Sequence, residues 1–304
     1  MRVVITGGTG FIGSHVAEHL HASGHELVLL VRDPDKVPGL RGRDGIGFVP
    51  GELGDRDAAR AALEGADALV HIARGSADTA AGSVLADTLP AAQLFEDAIA
   101  AGVEHIVYTS SIAVFDDSSD GAHLTDESPQ RPVNVYGATK AAAEAYLLGL
   151  AVGQRARMNA IRPGYTFGEP VVAGAPTQSM PELPRIARSA ARGEPIQVER
   201  HAGLQFIAAG DLARVYAAVL GSDVTRRTYT ALSPQFRTWE QLAHWAIELT
   251  GSASEVVVED RGRRARDGDA DIPWDVSAIE RDFGLRFDAD DALRRHLAYW
   301  AARA

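Results

Sequence analysis

Tyr136 and Lys140 lie four residues apart in Tyr136-Gly137-Ala138-Thr139-Lys140, a spacing that puts both side chains on one face of one helix. A phenol with a pKa of about 10 is a poor base at neutral pH, and an ammonium beside it favours the phenolate. Such a tyrosine can pass a proton to or from a carbinol. Upstream, Ser110-Ser111 follows a β-branched run at 105–109, so a hydroxyl at the carboxyl end of a strand can hold a substrate oxygen beside the tyrosine. A Tyr–Lys pair alone is a common surface pair. Together with the serine and a glycine turn, it reads as a centre for hydride and proton transfer.

That turn is Thr6-Gly7-Gly8-Thr9-Gly10-Phe11-Ile12-Gly13, which follows the first apolar run and opens a helix-spaced segment. Side chains at Gly7, Gly10 and Gly13 would block the turn, the approach of a pyrophosphate to the backbone and the packing of helix on strand. The helix start, with Phe11 and Ile12, offers free N–H groups and partial positive charge to an anion. The dinucleotide is chosen where the second strand ends, because an acid there binds the adenosine ribose hydroxyls. Here the strand ends Leu30-Val31-Arg32-Asp33, with Val31 in the acid's place. Arg32 suits a 2′-phosphate and can stack on adenine, so NADP is expected. NAD is the alternative, through Asp33, if the strand end shifts by one residue.

Apolar, β-branched runs at 3–5, 27–31, 46–49, 68–72 and 105–109 predict strands, and alanine- and leucine-rich segments of helical spacing separate most of them. Strand and helix in alternation mean an α/β fold, a doubly wound parallel sheet whose ligands collect at the carboxyl ends of the strands. A helix over 135–152 and a sixth strand at 158–161 continue it. The segment 167–184, with several Gly and Pro, reads as loop and short elements; Thr238 and Gln241 form a capping box for a helix to about Thr250, and 288–302 predicts a last amphipathic helix with Leu293, Leu297 and Trp300 inward. Residues 1–166 are expected to bind the dinucleotide, with 205–232 returning to that unit, and 167–304 to form a smaller, mainly substrate-binding region. The basic run 261–266 reads as a solvated loop.

The segments TGGTGFIG, PGEL at 50–53, DALVHIA at 67–73, VYTSSIAVF at 107–115, TDESP at 125–129, YGATK and IRPGYTFGE at 161–169 resemble the extended short-chain dehydrogenase/reductase family, also called the NAD-dependent epimerase/dehydratase family, along nearly the whole chain. The resemblance implies a Rossmann fold, Ser111, Tyr136 and Lys140 as catalytic residues, Tyr136 and Lys140 also contacting the cofactor, Glu52 with Leu53 near the adenine, Ala73 beside the cofactor and Pro163 near the nicotinamide. Family members usually have Asp where Glu52 stands and a small residue where Arg74 stands, so Arg74 is expected to touch phosphate or substrate at the cofactor's edge. The resemblance also implies a homodimer built on helices at 89–101 and 135–152.

Extended members commonly act on nucleotide-sugars. Arg266-Asp267-Gly268-Asp269 resembles their Arg-x-Gly-Asp, whose arginine grips the diphosphate. Leu204 stands where a second diphosphate arginine is usual, and Arg200 is the nearby substitute. Dehydratase members carry an acid pair directly after the catalytic hydroxyl, whereas Ser111 is followed by Ile112-Ala113, so water elimination is not expected. The leading expectation is an oxidoreductase or epimerase working on a secondary alcohol or ketone of a nucleotide-sugar. An NADPH-dependent reductase of a small carbonyl metabolite is the alternative, favoured by Arg32 and Leu204. A redox-sensing protein without turnover would have no need of Tyr136 and Lys140.

Composition excludes other classes. The 304 residues carry 30 Lys and Arg against 41 Asp and Glu, a net charge of −11, which repels nucleic-acid backbones and acidic leaflets. The absence of cysteine removes disulfides, thiolate metal sites and a cysteine nucleophile, and His71, His201 and His244 lack metal-ligand spacing, so no metal is expected. The first apolar run is too short for a signal peptide or anchor, and a cytoplasmic location is expected.

Overall fold

The apolar runs of the first half become one sheet. In the computed structural model, which describes residues 1–115, 123–263 and 273–304, the chain begins with β1 (Arg2–Thr6), α1 (Phe11–Ala22), β2 (Glu26–Val31), β3 (Ile46–Pro50), α2 (Arg56–Leu63), β4 (Ala68–His71) and α3 (Ala80–Ser83). It continues through α4 (Leu89–Ala100), β5 (His105–Thr109), α5 (Val135–Leu150), β6 (Arg157–Pro163), β7 (Tyr165–Phe167), α6 (Glu182–Ala191), β8 (Ile196–Glu199) and β9 (Gly203–Ala208). The remainder is α7 (Ala209–Leu220), β10 (Thr228–Ala231), β11 (Phe236–Thr238), α8 (Trp239–Thr250), β12 (Val256–Glu259), α9 (Ser277–Phe283) and α10 (Asp290–Ala301).

Seven strands form the main sheet in the order β10-β6-β5-β4-β1-β2-β3. All of its pairings are parallel. Alternate residues serve opposite faces. Val3 and Ile5 pack under α1 and α7 with Val16, Leu20 and Tyr216, while Val4 packs under α2, α4 and α5 with Leu63, Phe95 and Leu147. Both faces are covered, which is why these strands are apolar throughout rather than alternating with polar residues. The direction of winding reverses between β1 and β4, and the crevice at such a reversal is where a doubly wound sheet takes its ligand.

A third apolar cluster joins α6, α8 and α10 to β8 and β9 through Leu183, Ile186, Phe206, Leu242, Leu293 and Leu297. Beside it lie a three-stranded sheet, β11-β9-β7, and the pair β12-β8. The segment 205–232 divides: its first residues lie in β9 of the three-stranded sheet, while α7 and β10 return to the main sheet. The capping box at Thr238 and Gln241 is formed, and α10 buries Leu293 and Leu297 with Trp300 half-buried. Glu182 already begins α6, so the irregular stretch after β7 is shorter than its Gly and Pro content suggests.

Candidate active site

The glycine turn is held by steric necessity. Gly7 has φ +73°, a left-handed conformation that favours glycine, and a Cβ there would stand 2.7 Å from the backbone N of Ala73. A Cβ on Gly13 would overlap the Gly7 carbonyl oxygen. Gly10, the N-cap of α1, supplies no side-chain cap, and no acid stands in the helix's first turn. The first N–H groups of α1 have no intrahelical partner and point out of the turn. This cradle has both the space and the donors that a pyrophosphate needs.

It opens into a cleft of about 690 Å³ lined at one end by Gly7, Gly10, Phe11, Ile12 and Gly13 and elsewhere by Arg32, Lys36, Glu52, Leu53, Ala73 and Arg74. Asp33 is not among its lining residues. Its carboxylate accepts the N–H of Asp35 at 2.9 Å, capping the 3₁₀ turn Pro34–Lys36. That turn instead carries Lys36 to the cleft, a residue the sequence reading passed over. Its available signal was scarcity: Lys36 and Lys140 are the only lysines in the chain. Pro163 ends β6 and is buried, outside the residues that line the cleft.

Ser111 caps the 3₁₀ turn Ile112–Val114, and its Oγ accepts the N–H of Ala113 at 3.1 Å, which leaves the hydroxyl proton free to donate. The start of α5 packs directly on this turn, because a Cβ on Gly137 would overlap the Ala113 carbonyl oxygen. Glycine between Tyr136 and Lys140 therefore lets the helix come close to the serine. Tyr136, in the first turn after the Asn134 cap, is 37% exposed, and the guanidinium of Arg74 lies 5.2 Å from its ring centroid. Lys140 is buried one turn on, with Nζ 5.1 Å from the Tyr108 ring centroid and 3.6 Å from an Asp87 carboxylate oxygen. Burial lowers the lysine pKa from its ordinary value, and the Asp87 carboxylate opposes that shift.

His71 closes β4 beneath this centre. Thr6 Oγ1 accepts two backbone N–H groups, from Ile72 and Ala73, so its own proton goes to His71 Nδ1 at 2.6 Å. Burial, with Lys140 adding to it, pushes the His71 pKa down to about 3, so the ring is neutral. An unfolded histidine titrates near 6.5. Stability from this residue is fully present above that value and is lost as pH falls from about 6.5 toward 3, with a limiting slope of about 1.4 kcal/mol per pH unit. Urea midpoints measured between pH 4 and 7 should show a shallower pH dependence in His71→Asn by about one proton, and an unchanged slope would mean that the ring is not buried as the neutral form.

The two proposed substrate arginines fare differently. Arg200 pairs with Asp260 at 3.2 Å at the end of the β8–β12 pair and does not line the cleft. Arg266 lies outside the described residues, as does the whole of its Arg-x-Gly-Asp segment. Of the basic run, Arg261 pairs with Glu259 and Arg263 with Glu199. Leu204 packs into the apolar cluster beside β9.

A second constellation, Ser179–His296–Glu169, has triad-like distances of 2.9 and 2.6 Å. Trp300 Nε1, a donor only, also reaches His296 Nε2 at 3.0 Å. The ring is thus an acceptor there and donates from Nδ1 to Glu169. Fully buried, His296 pins α10 to the segment after β7.

Sheet order and glycine turn together define a doubly wound, Rossmann-type α/β protein. Residues 3–231 match the NAD dependent epimerase/dehydratase family, and the chain belongs to that family. A UDP-glucose 4-epimerase of Neisseria meningitidis serogroup B is 30% identical over 163 residues, 48% of this chain and 47% of that protein. A Synechocystis sp. protein assigned by name to dihydroflavonol 4-reductases is 34% identical over 141 residues, 45% of this chain and 40% of its own. The chain thus spans less than half the length of each of these curated relatives in the matched region. Among solved structures, UDP-glucuronic acid 4-epimerase from Bacillus cereus in complex with NAD superposes with a TM-score of 0.81 at 15% identity, over 100% of this chain and 99% of that one. Among the described residues, no helix is long and apolar enough to cross a membrane.

Proposed function

We propose that this protein is a nicotinamide-dinucleotide-dependent oxidoreductase or epimerase acting on a secondary alcohol or ketone of a nucleotide-sugar, with Ser111, Tyr136 and Lys140 as its catalytic residues. The observation that carries the reading is the close seating of the Tyr136–Lys140 helix on the Ser111 turn, an approach that Gly137 makes possible, at the carboxyl edge of the same sheet that holds the glycine cradle. When bound, the dinucleotide donates or accepts the hydride. Ser111 donates a hydrogen bond to the substrate oxygen and orients it. Tyr136 takes the carbinol proton as the phenolate in oxidation and, as the phenol, gives it back in reduction. Lys140 supplies positive charge where negative charge develops on oxygen. With Ile112 and Ala113 after Ser111, no acid pair stands ready to expel water.

The cofactor we propose is NADP. Arg32 and Lys36 line the adenosine end of the cleft without a carboxylate partner within ion-pair distance among the described residues, and Asp33 is engaged by its own turn. The NAD in the Bacillus cereus structure is the case for the alternative. A charge-assisted contact from Arg32 to a 2′-phosphate is worth about 1.5 to 3 kcal/mol. Calorimetry should show NADP binding more tightly than NAD, with the difference reduced in Arg32→Ala and again in Lys36→Ala. Equal affinities in the wild type would refute NADP selectivity.

Small-carbonyl reduction is the second reading, favoured by the apolar setting of Leu204 and by the reductase-named relative. Turnover assays against UDP-hexoses and small ketones with NADPH separate the two: activity confined to the ketones selects the reductase. We further propose a cytoplasmic homodimer through α4 and α5, whose outer face exposes Leu89, Val135 and Tyr146.

A further inference from the structure

The ion pair behind the catalytic lysine has no part in the proton and hydride steps above. Asp87 sits on a π turn, Val84–Thr88, immediately before α4. Wide turns of this kind inside helices are frequent at functional sites. Its side chain and that of Lys140 are each 3% exposed, and the two meet at 3.6 Å. Asp87 Oδ1 accepts the N–H of Gly75 at 2.9 Å, while the buried Oδ2 has no hydrogen-bond partner and faces the ammonium as an ion pair. Gly75 is itself pressed on this turn, since a Cβ there would overlap the Ala86 carbonyl oxygen. The residue before it is Arg74, whose guanidinium lies against the Tyr136 ring. One carboxylate therefore grips both the buried lysine and the corner of chain that brings Arg74 to the tyrosine.

We propose that Asp87 is a positioning residue of the catalytic centre, the counter-ion that keeps Lys140 charged at working pH and the tie that holds the Arg74 corner against it. The proposal deepens the Ser111–Tyr136–Lys140 reading and rests on it. The groups around the ammonium from the packed elements are His71 on β4, Arg74 after it, Tyr108 on β5, Asp87, and Tyr136 and Glu144 on its own helix. His71 is neutral, Arg74 repels the ammonium and Glu144 is bound to Arg162. Asp87 is the one carboxylate within 4.0 Å of Lys140 among the described residues. A buried ammonium stripped of its counter-ion gives up its proton more readily.

Because the chain has two lysines, protein labelled with ¹³C at the lysine ε-carbon gives two resonances, assigned with Lys36→Arg. In Asp87→Asn, which keeps an acceptor for the Gly75 N–H, the Lys140 titration midpoint should fall by about one pH unit or more while that of Lys36 stays in place. The alkaline limb of the kcat profile should move down by the same amount, with NADP affinity within about twofold of wild type. Asp87→Ser is the second variant, with the same displacement expected. An unmoved Lys140 midpoint overturns the proposal without reference to any reaction. A displaced midpoint with an unmoved kcat profile overturns the catalytic role of the pair and, separately, the place of Lys140 in the proposed function.

Discussion

Tyr136→Phe is expected to cut turnover by about a hundredfold or more while leaving cofactor affinity nearly unchanged. The substitution removes one hydroxyl. The ring stays in the first turn of α5, where its face still meets Arg74, and the Asn134 cap and the Gly137 contact are untouched. The cleft that receives the dinucleotide is lined by other residues, so its affinity has no reason to change. Among the grouped residues, the tyrosine hydroxyl is the one suited both to donate and to accept the reacting proton. Its loss should appear in kcat, with KM altered much less, because the interaction is made chiefly in the transition state. Steady-state kinetics beside calorimetric cofactor titrations provide the check. Full activity in the variant would remove Tyr136 from the mechanism.

The largest effect on stability is expected at Glu144. Its side chain is fully buried and takes Arg162 Nε at 3.0 Å in a bidentate pair, with Gln130 as a third partner. Arg162 also donates to the Asp126 carbonyl at 2.9 Å and stacks over Phe115, 4.8 Å from the ring centroid. The pair joins α5 to β6, one helical turn beyond Lys140. Removing one charge leaves the other buried and unpaired, so Glu144→Ala should lose about 3 to 5 kcal/mol in urea unfolding. Glu144→Leu combined with Arg162→Met should recover a large part of that loss, because two apolar side chains of similar volume remove both desolvation costs. A loss of less than about 1 kcal/mol in the single variant would mean that water reaches the pair.

The trio proposed as catalytic could be picked out because it depends on short spacings. Tyr136 and Lys140 share a helix face by geometry, and Ser111 follows a strand whose apolar composition announces it. The same holds for the glycine turn. Lys36 and Asp87 carried no such mark. Each is a charged residue in a short irregular or π-helical turn, where neither the period of two nor that of 3.6 assigns a direction. What Asp33 does was not readable for a local reason: its carboxylate accepts the backbone N–H of Asp35, two residues on, a local bond open to any Asp in a turn. Arg200 was chosen for nearness along the chain to a missing arginine, and β8 carries it to Asp260 instead.

By itself the sequence determined the alternation of strands and helices as far as β6, the apolar strands of the sheet, the glycine turn and the residue types available for proton transfer, because periodicity and turn chemistry act over a few neighbours. Tertiary structure alone decided which charges meet. Asp87 and Lys140 are 53 residues apart, Glu169 and His296 are 127 apart, and Asp126 reaches the edge of β10 by accepting the Thr230 N–H at 2.6 Å. Such pairs depend on how the crossovers close over the sheet and how tightly helices seat on it. They form where burial raises the cost of leaving a charge or donor unmatched, and burial belongs to the folded whole rather than to any stretch of chain.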